Sequence, residues 1–314
     1  MKLLRIYSEL AKARLSSLVV MTAAVGFIVP EERVRWGLFI ATVLGTALVA
    51  GGAGAFNMVM ERDRDARMHR TRKRPIPAGE IGVLHASLFA FATALAGLAI
   101  LFFAVGPKPA ELALYCLLLY ALIYTPLKAH SSLNTIVGAV VGAIPPVIGW
   151  VASTGRIDFG AIILAAVLFV WQIPHFLSLD WMYREDYARG GYVMLSAADP
   201  SGRSTVRMAL LYSLALIPIG IVAVAAGMAG LFFGIGAFLL GLMMTHLGLK
   251  FLRSKGQKEA RGLFFASLLY LPLLLGLMVA DRGPIPIVEA RGSVASEAHA
   301  PESTVDHDDP RPND

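Results

Sequence analysis

The chain has 314 residues, 56% of them hydrophobic and only 16% charged, with a mean hydropathy of +0.65. Soluble domains carry about 25% charged residues, so the composition excludes a soluble globular protein and, with it, the two domains that length alone would suggest. The net charge of +6 does not point to nucleic acid, because the basic residues lie in short loops between apolar runs of spanning length.

The N-terminus holds Lys2 and Arg5 and then "SELAKARL", without a short apolar core ending in a small-residue cleavage site. Neither a signal peptide nor a transit peptide is expected. A span needs roughly 20 mostly apolar residues. Nine are read, near 13–30, 36–57, 83–105, 109–127, 133–153, 158–180, 208–227, 229–249 and 262–281. In lipid the backbone must satisfy its own hydrogen bonds, so each is expected to be a helix. The fold expected is an all-α polytopic membrane bundle of nine transmembrane helices.

The basic residues fix the orientation expected. With the N-terminus inside, 21 of the 28 Lys and Arg fall in loops on that side and 7 on the other. The positive-inside bias then gives a cytoplasmic N-terminus and a C-terminus on the opposite side. The loops 61–80 and 181–207 and the end of the fourth span share the cytoplasmic face. The second and fifth spans are rich in small residues ("GTALVAGGAGAF", "GAVVGAIPPVIGW"), which allow close helix approach. Pro145, Pro146 and Pro174 are expected to kink their helices. Cys116, the single cysteine, reads as a packing residue. From residue 283 onward the chain turns polar and acidic, and a disordered tail is expected beyond a nine-helix unit at 1–282.

The second span ends in "NMVMERDRDARMHRTRKRPIPAGEI". Between Asn57 and Arg74 stand three acids and seven Lys or Arg. Asn57, Glu61 and Asp65 recur every four residues, so a helix turns them to one side. Their oxygens suit a hard divalent cation such as Mg²⁺ completed by phosphate oxygens. Arg62, Arg67, Arg70, Arg72, Lys73 and Arg74 flank them. Acids alone repel a phosphate and bases alone bind it without metal, so the mixture suits a metal–diphosphate complex. A cytoplasmic anchor loop would account for the arginines but not for acids at a membrane-embedded helix end. Asp63 falls off that side and reads as a solvated partner of the arginines. "RPIPAG" reads as a rigid turn that returns the basic strip to the helix end.

"YTPLK" closes the fourth span. Lys128 there can hold a phosphate as a point charge or simply extend from the helix end to the interface. His130 and Asn134 are weaker candidates nearby. The sixth span runs into "WQIPHFLSLDWMYREDYARGGYVML", with Asp180, Glu185 and Asp186 near Arg184 and Arg189. It stands four spans after the second, so both acidic helix ends face one side. His175 reads either as a hydrogen-bonded core residue or as a metal ligand or proton carrier.

These residues resemble the UbiA-type intramembrane prenyltransferases over roughly residues 8–281. Asn-x₃-Glu-x₃-Asp with "MHRTRKRPIP" resembles that family's first motif, "YTPLK" its Tyr-x-x-x-Lys element and "DYARGGYVML" its second acidic motif. The segments "RMHRTRKRPIP", "LNTIVGAVVGAIPPVIGW" and the run 171–195 are similar to the branch that farnesylates haem. The resemblance implies Mg²⁺ held by Asn57, Glu61, Asp65 and Asp186, with Arg70, Arg74, Lys128 and Tyr124 on the diphosphate. It implies farnesyl diphosphate and haem b as substrates, His175 as a haem-binding candidate, and haem A synthase or oxidase assembly factors as partners in a bacterial inner membrane. Three departures are visible: Met182 stands four residues before Asp186, Asp180 stands where that branch usually has a small apolar residue, and "YVML" replaces a more usual "IPML". Asp180 is not assigned as a ligand.

Three other readings stay open on the residues alone. Prenylation of a small aromatic acid or quinone precursor keeps the diphosphate site and changes the acceptor. A transporter of an anion would not need the capped Asn-x₃-Glu-x₃-Asp cluster. A non-catalytic haem-handling protein would tolerate its loss.

Overall fold

A computed structural model of the chain describes residues 2–282. The expected tail at 283–314 lies outside them. The described residues are helical, joined by turns and short loops. Eight helices are long and apolar enough to cross a membrane. They are α3 (Trp36–Asp65), α4 (Val83–Val105), α5 (Pro107–Leu127), α6 (Asn134–Thr154), α7 (Phe159–Met182), α8 (Arg203–Ala225), α9 (Leu231–Ser254) and α10 (Gln257–Ala280).

The ninth expected span differs. Near 13–30 the chain forms α2, Ala13–Ile28, of only 16 residues. It reaches spanning length only together with α1, Lys2–Leu10, across a 55° bend. α1 is amphipathic, with Ile6 and Leu10 buried and Leu3 and Leu4 exposed. Lys12 makes the bend in the left-handed region, at φ 48° and ψ 47°. Left-handed backbone is uncommon for a residue with a Cβ, so packing on both sides must hold it there.

α3 is longer than the apolar run implied. It continues unbroken to Asp65 over 30 residues, which keeps Asn57, Glu61 and Asp65 on one continuous helix. The helices expected to kink at proline run through Pro145, Pro146 and Pro174 without ending. α4 ends in a π-helical turn at Leu101–Val105 and α5 contains one at Leu119–Tyr124. Short helices at Arg184–Arg189 and Leu195–Ala198 shape the loop after α7.

α3 packs along α4, α2 along α6, and α7 is wrapped by α6, α8 and α10. The small residues do what was expected of them. A Cβ on Gly26 would lie 2.0 Å from the Pro146 carbonyl oxygen, and one on Gly149 would lie 1.9 Å from that of Ala23. The α2–α6 contact is therefore backbone against backbone. Large apolar side chains such as Phe103, Leu231 and Phe232 point outward, as a lipid-facing surface requires. Cys116 is partly buried, its thiol against the Val141 carbonyl, in keeping with a packing role.

Candidate active site

A cavity of about 210 Å³ opens among α2, α3, α5, α6, α7 and α10. Its wall is mostly apolar and includes Val49, Ile148, Leu168 and Leu271. Lys12, Tyr124, Gln172 and His175 supply polar groups to it.

The α3 residues sit beside Lys12 and are buried: Asn57, Glu61 and Asp65. Each meets a different cation. Lys12 Nζ donates to Asn57 Oδ1. Lys128 Nζ lies 2.8 Å from Glu61 Oε1. Arg74 lies 2.6 Å from Asp65 Oδ2. The turn through "RPIPAG" returns Arg74 to the helix end, closed by Ala78 N–H to the Arg74 carbonyl and Glu80 N–H to the Pro75 carbonyl. Asn57 also donates through Nδ2 to Thr125 Oγ1 at 3.0 Å. Lys128 stands over the Tyr124 ring, 4.7 Å from its centre. Asp63 is exposed beside Arg62, off the shared side as expected.

Paired buried charges hold each other in place, and removing one partner strands the other. Here the cations come from three separate elements: the α1–α2 bend, the end of α5 and the turn after α3. The carboxylate oxygens without a protein partner, one on each of Glu61 and Asp65, remain available. Two carboxylates and an amide on one side, with phosphate oxygens completing the shell, are the donor set that Mg²⁺ takes in phosphate sites. The residues therefore fit such an ion. Among the described residues no group of three or more His, Cys, Asp and Glu is gathered closely enough to hold an ion by itself.

Asp186 is used differently. Its oxygens accept from the backbone N–H groups of His69 at 2.8 Å and Arg70 at 3.2 Å, and from Arg189 at 2.8 Å. It clasps the basic turn rather than joining Asn57, Glu61 and Asp65 around one point. Burial pushes its carboxyl pKa up, but the bonds from Arg189, His69 and Arg70 outweigh this and hold it below the usual carboxylate range. Arg70 likewise stays outside the cluster, its guanidinium over Tyr183 and Tyr187 at 5.1 and 5.8 Å. Asp180 is buried and accepts from Ser196 N–H at 2.9 Å and Ser196 Oγ at 2.5 Å. It pins the loop after α7 and has no oxygen directed to the cluster. Asn134 ties the same loop through the Val193 carbonyl, and His130 bonds its own turn at Pro126.

His175 lines the cavity wall. Its ring is stacked between Trp171 and Phe264, at 5.3 and 4.8 Å between centres. Ser267 Oγ donates its one hydrogen to the Phe264 carbonyl at 2.6 Å. His175 Nδ1 lies 2.8 Å from Ser267 Oγ, and no hydrogen bond to its Nε2 is formed among the described residues.

Lys12 and Thr125 were not singled out by the sequence. Lys12 counted only toward the basic N-terminus. Gly51 and Gly54 on α3 give the room: Cβ atoms there would meet Ala11 and Lys12 at 3.3–3.4 Å. The "GGAGAF" pattern announced a close approach without naming what approaches.

Residues 18–269 match the UbiA prenyltransferase family. Over 290 residues the chain is 40% identical to a protein of Solibacter usitatus named protoheme IX farnesyltransferase, covering 89% of this chain and 99% of that one. It is 42% identical over 279 residues to the human mitochondrial protein of the same name, covering 89% of this chain and 62% of the longer human one. A solved UbiA homolog from Archaeoglobus fulgidus bound to DMAPP and Mg2+ superposes with a TM-score of 0.65 at 15% identity, over 87% of this chain and 99% of that one. At that identity the likeness concerns the fold.

Proposed function

We propose, from the fact that the chain belongs to the UbiA prenyltransferase family, that it transfers a farnesyl group from farnesyl diphosphate to a vinyl group of haem b, giving haem O. The observation that carries this reading is the row Asn57–Glu61–Asp65, each member paired with a cation, beside an apolar cavity. The 40% identity to a full-length protoheme IX farnesyltransferase supports the choice of donor and acceptor.

The chemical difficulty is departure of diphosphate from an allylic carbon. The C–O bond breaks and its electron pair leaves on the diphosphate. A vinyl carbon of haem then forms the new carbon–carbon bond, and water adds to the neighbouring carbon with loss of a proton, completing a hydroxyethylfarnesyl side chain. Asn57, Glu61 and Asp65 would hold Mg²⁺, which when bound would supply Lewis-acid neutralisation of the leaving group. Lys128, Arg74 and Lys12 share that role as fixed cations. They are already positioned before substrate arrives, so little reorganisation is required when charge develops. Arg70, stationed outside the cluster, would meet the diphosphate from the rim, and Tyr124 supports Lys128 from below. Asp186 orders the turn that carries Arg74. The apolar wall keeps water from the allylic cation until the vinyl carbon attacks. His175, on the cavity wall, would meet the haem, either at iron or as a proton carrier.

The protein is an integral membrane protein. In a bacterial inner membrane with its N-terminus cytoplasmic, the acidic ends of α3 and α7 would meet soluble Mg²⁺ there. Residues 1–282 form the prenyltransferase unit, and haem A synthase or oxidase assembly factors would take the product. Incubating membranes with haem b, farnesyl diphosphate and Mg²⁺, then measuring the mass of extracted haem, tests the reading. A farnesylated, hydrated haem is the expected product; unchanged haem with prenylated quinone precursors would refute it.

A further inference from the structure

Six buried side-chain polar atoms among the described residues have no hydrogen-bond partner. Five lie within spanning helices, at Thr46, Thr135, Trp150, Thr205 and Tyr270. The sixth is the hydroxyl of Tyr192, in the loop after α7. Tyr192 is only 6% exposed, and its charged neighbours are Glu61, Lys128, Asp65 and Arg64. Lys128 and Arg64 flank its ring at 5.9 and 5.5 Å from the centre.

A buried hydroxyl without a partner destabilises a protein. Phenylalanine would fill the same space without that loss. The ring is firmly seated: it meets Tyr187 edge-on at 5.9 Å and packs with Met68 and Met194. The backbone is fixed on both sides. Gly191 turns it at φ 70°, with Arg64 donating to the Gly191 carbonyl at 3.1 Å, and Val193 N–H donates to the Lys128 carbonyl at 2.8 Å. The ring is thus held between Lys128 and Arg64, and its hydroxyl bonds to neither them nor Glu61.

We propose that the Tyr192 hydroxyl is a substrate-binding group, donating a hydrogen bond to an oxyanion received between Lys128 and Arg64. This rests on the reading of that place as the diphosphate site. The oxyanion is a phosphate oxygen of the prenyl donor; a carboxylate of the acceptor has the same chemistry and is distinguished by the test. A neutral donor among cations adds direction without adding charge, and it strengthens as negative charge gathers on the leaving group.

The test compares the purified full chain in nanodiscs with Tyr192→Phe, which removes the hydroxyl and keeps the ring. Calorimetric titration with inorganic pyrophosphate and Mg²⁺ is expected to show about tenfold weaker binding in the variant, as loss of a hydrogen bond to a charged group gives. The thermal midpoint should be unchanged or higher, and KM should rise for farnesyl diphosphate only. Equal pyrophosphate affinity in the two proteins overturns the inference while leaving the diphosphate site intact. A KM increase confined to haem overturns it in favour of the acceptor carboxylate. A lowered thermal midpoint with unchanged affinity assigns the hydroxyl to packing. Failure of the unsubstituted protein to bind pyrophosphate refutes the diphosphate reading, and this inference with it.

Discussion

The ends of α3 and α7 both carry buried acids beside arginines, but they use them in opposite ways. On α3, Glu61 and Asp65 meet side-chain cations at the tips of Lys128 and Arg74. On the α7 side, Asp186 and Asp180 also meet backbone N–H groups, of His69, Arg70 and Ser196, besides the Arg189 guanidinium and the Ser196 hydroxyl. A long cationic side chain can exchange a carboxylate for a phosphate by rotating a few bonds. A backbone N–H cannot move without its loop. The first arrangement can open to admit a metal–diphosphate complex; the second holds the loops that surround it.

Substitutions can break or sharpen this contrast. The largest effect is expected from Asp65→Asn, which removes charge from the row proposed to hold the metal. Product formation should fall on the order of 10²–10³-fold, as loss of a preorganised electrostatic group does, and the thermal midpoint should fall too, because Arg74 loses its buried partner. Near-normal product would end the contrast at once. Lys128→Ala should come next, raising KM for farnesyl diphosphate roughly tenfold or more through loss of a charge-assisted contact. An effect on haem alone would contradict its place in the exchangeable set.

Asp186→Asn should act through the turn rather than the chemistry. Turnover is expected to fall only about tenfold, in line with a supporting group around a metal site. Proteolysis within 64–80 should accelerate at the same time. A loss equal to that of Asp65→Asn with the turn still protected would move Asp186 into the metal's own shell.

The smallest effect is the pH dependence of the clasp. A carboxylate whose folded pKa is depressed favours the folded, ionised form. The Asp186 contribution is therefore complete above its ordinary value of 3.8 and fades as pH falls through the lower folded one. Amide exchange at His69 and Arg70 should stay slow at pH 5 and quicken only in stronger acid. Loss of protection already near pH 6 would mean that another group governs the turn.

The row on α3 was legible because one periodic rule and one unbroken helix suffice to place it. Lys128 was legible as a lone cation at a span end. Lys12 was not, because its position depends on a left-handed bend and on a contact 45 residues away. Asp186 was legible as an acid near Arg189, its partner at 2.8 Å, but its other partners are backbone groups of a distant turn, which carry no side-chain signature. The same holds for Asp180, whose partner Ser196 lies within a four-residue helix. The spans followed from hydropathy, except where α2 is too short to span alone. The π turns in α4 and α5 left no mark in composition.

The π turn at Leu119–Tyr124 has a consequence for how the two ends of α5 can vary. A helix advances about 100° per residue, and a π turn absorbs one residue more than its neighbours do. The stretch from Pro107 thus keeps one rotational setting toward lipid, while Thr125 and Lys128 keep another toward Asn57 and Glu61. Deleting a single residue within the turn would return it to regular α-helix, with Lys128 still facing its carboxylate and the lipid-facing half in register. The irregular turn works as a phase adjuster, letting bilayer fit and chemistry be tuned independently along one rod.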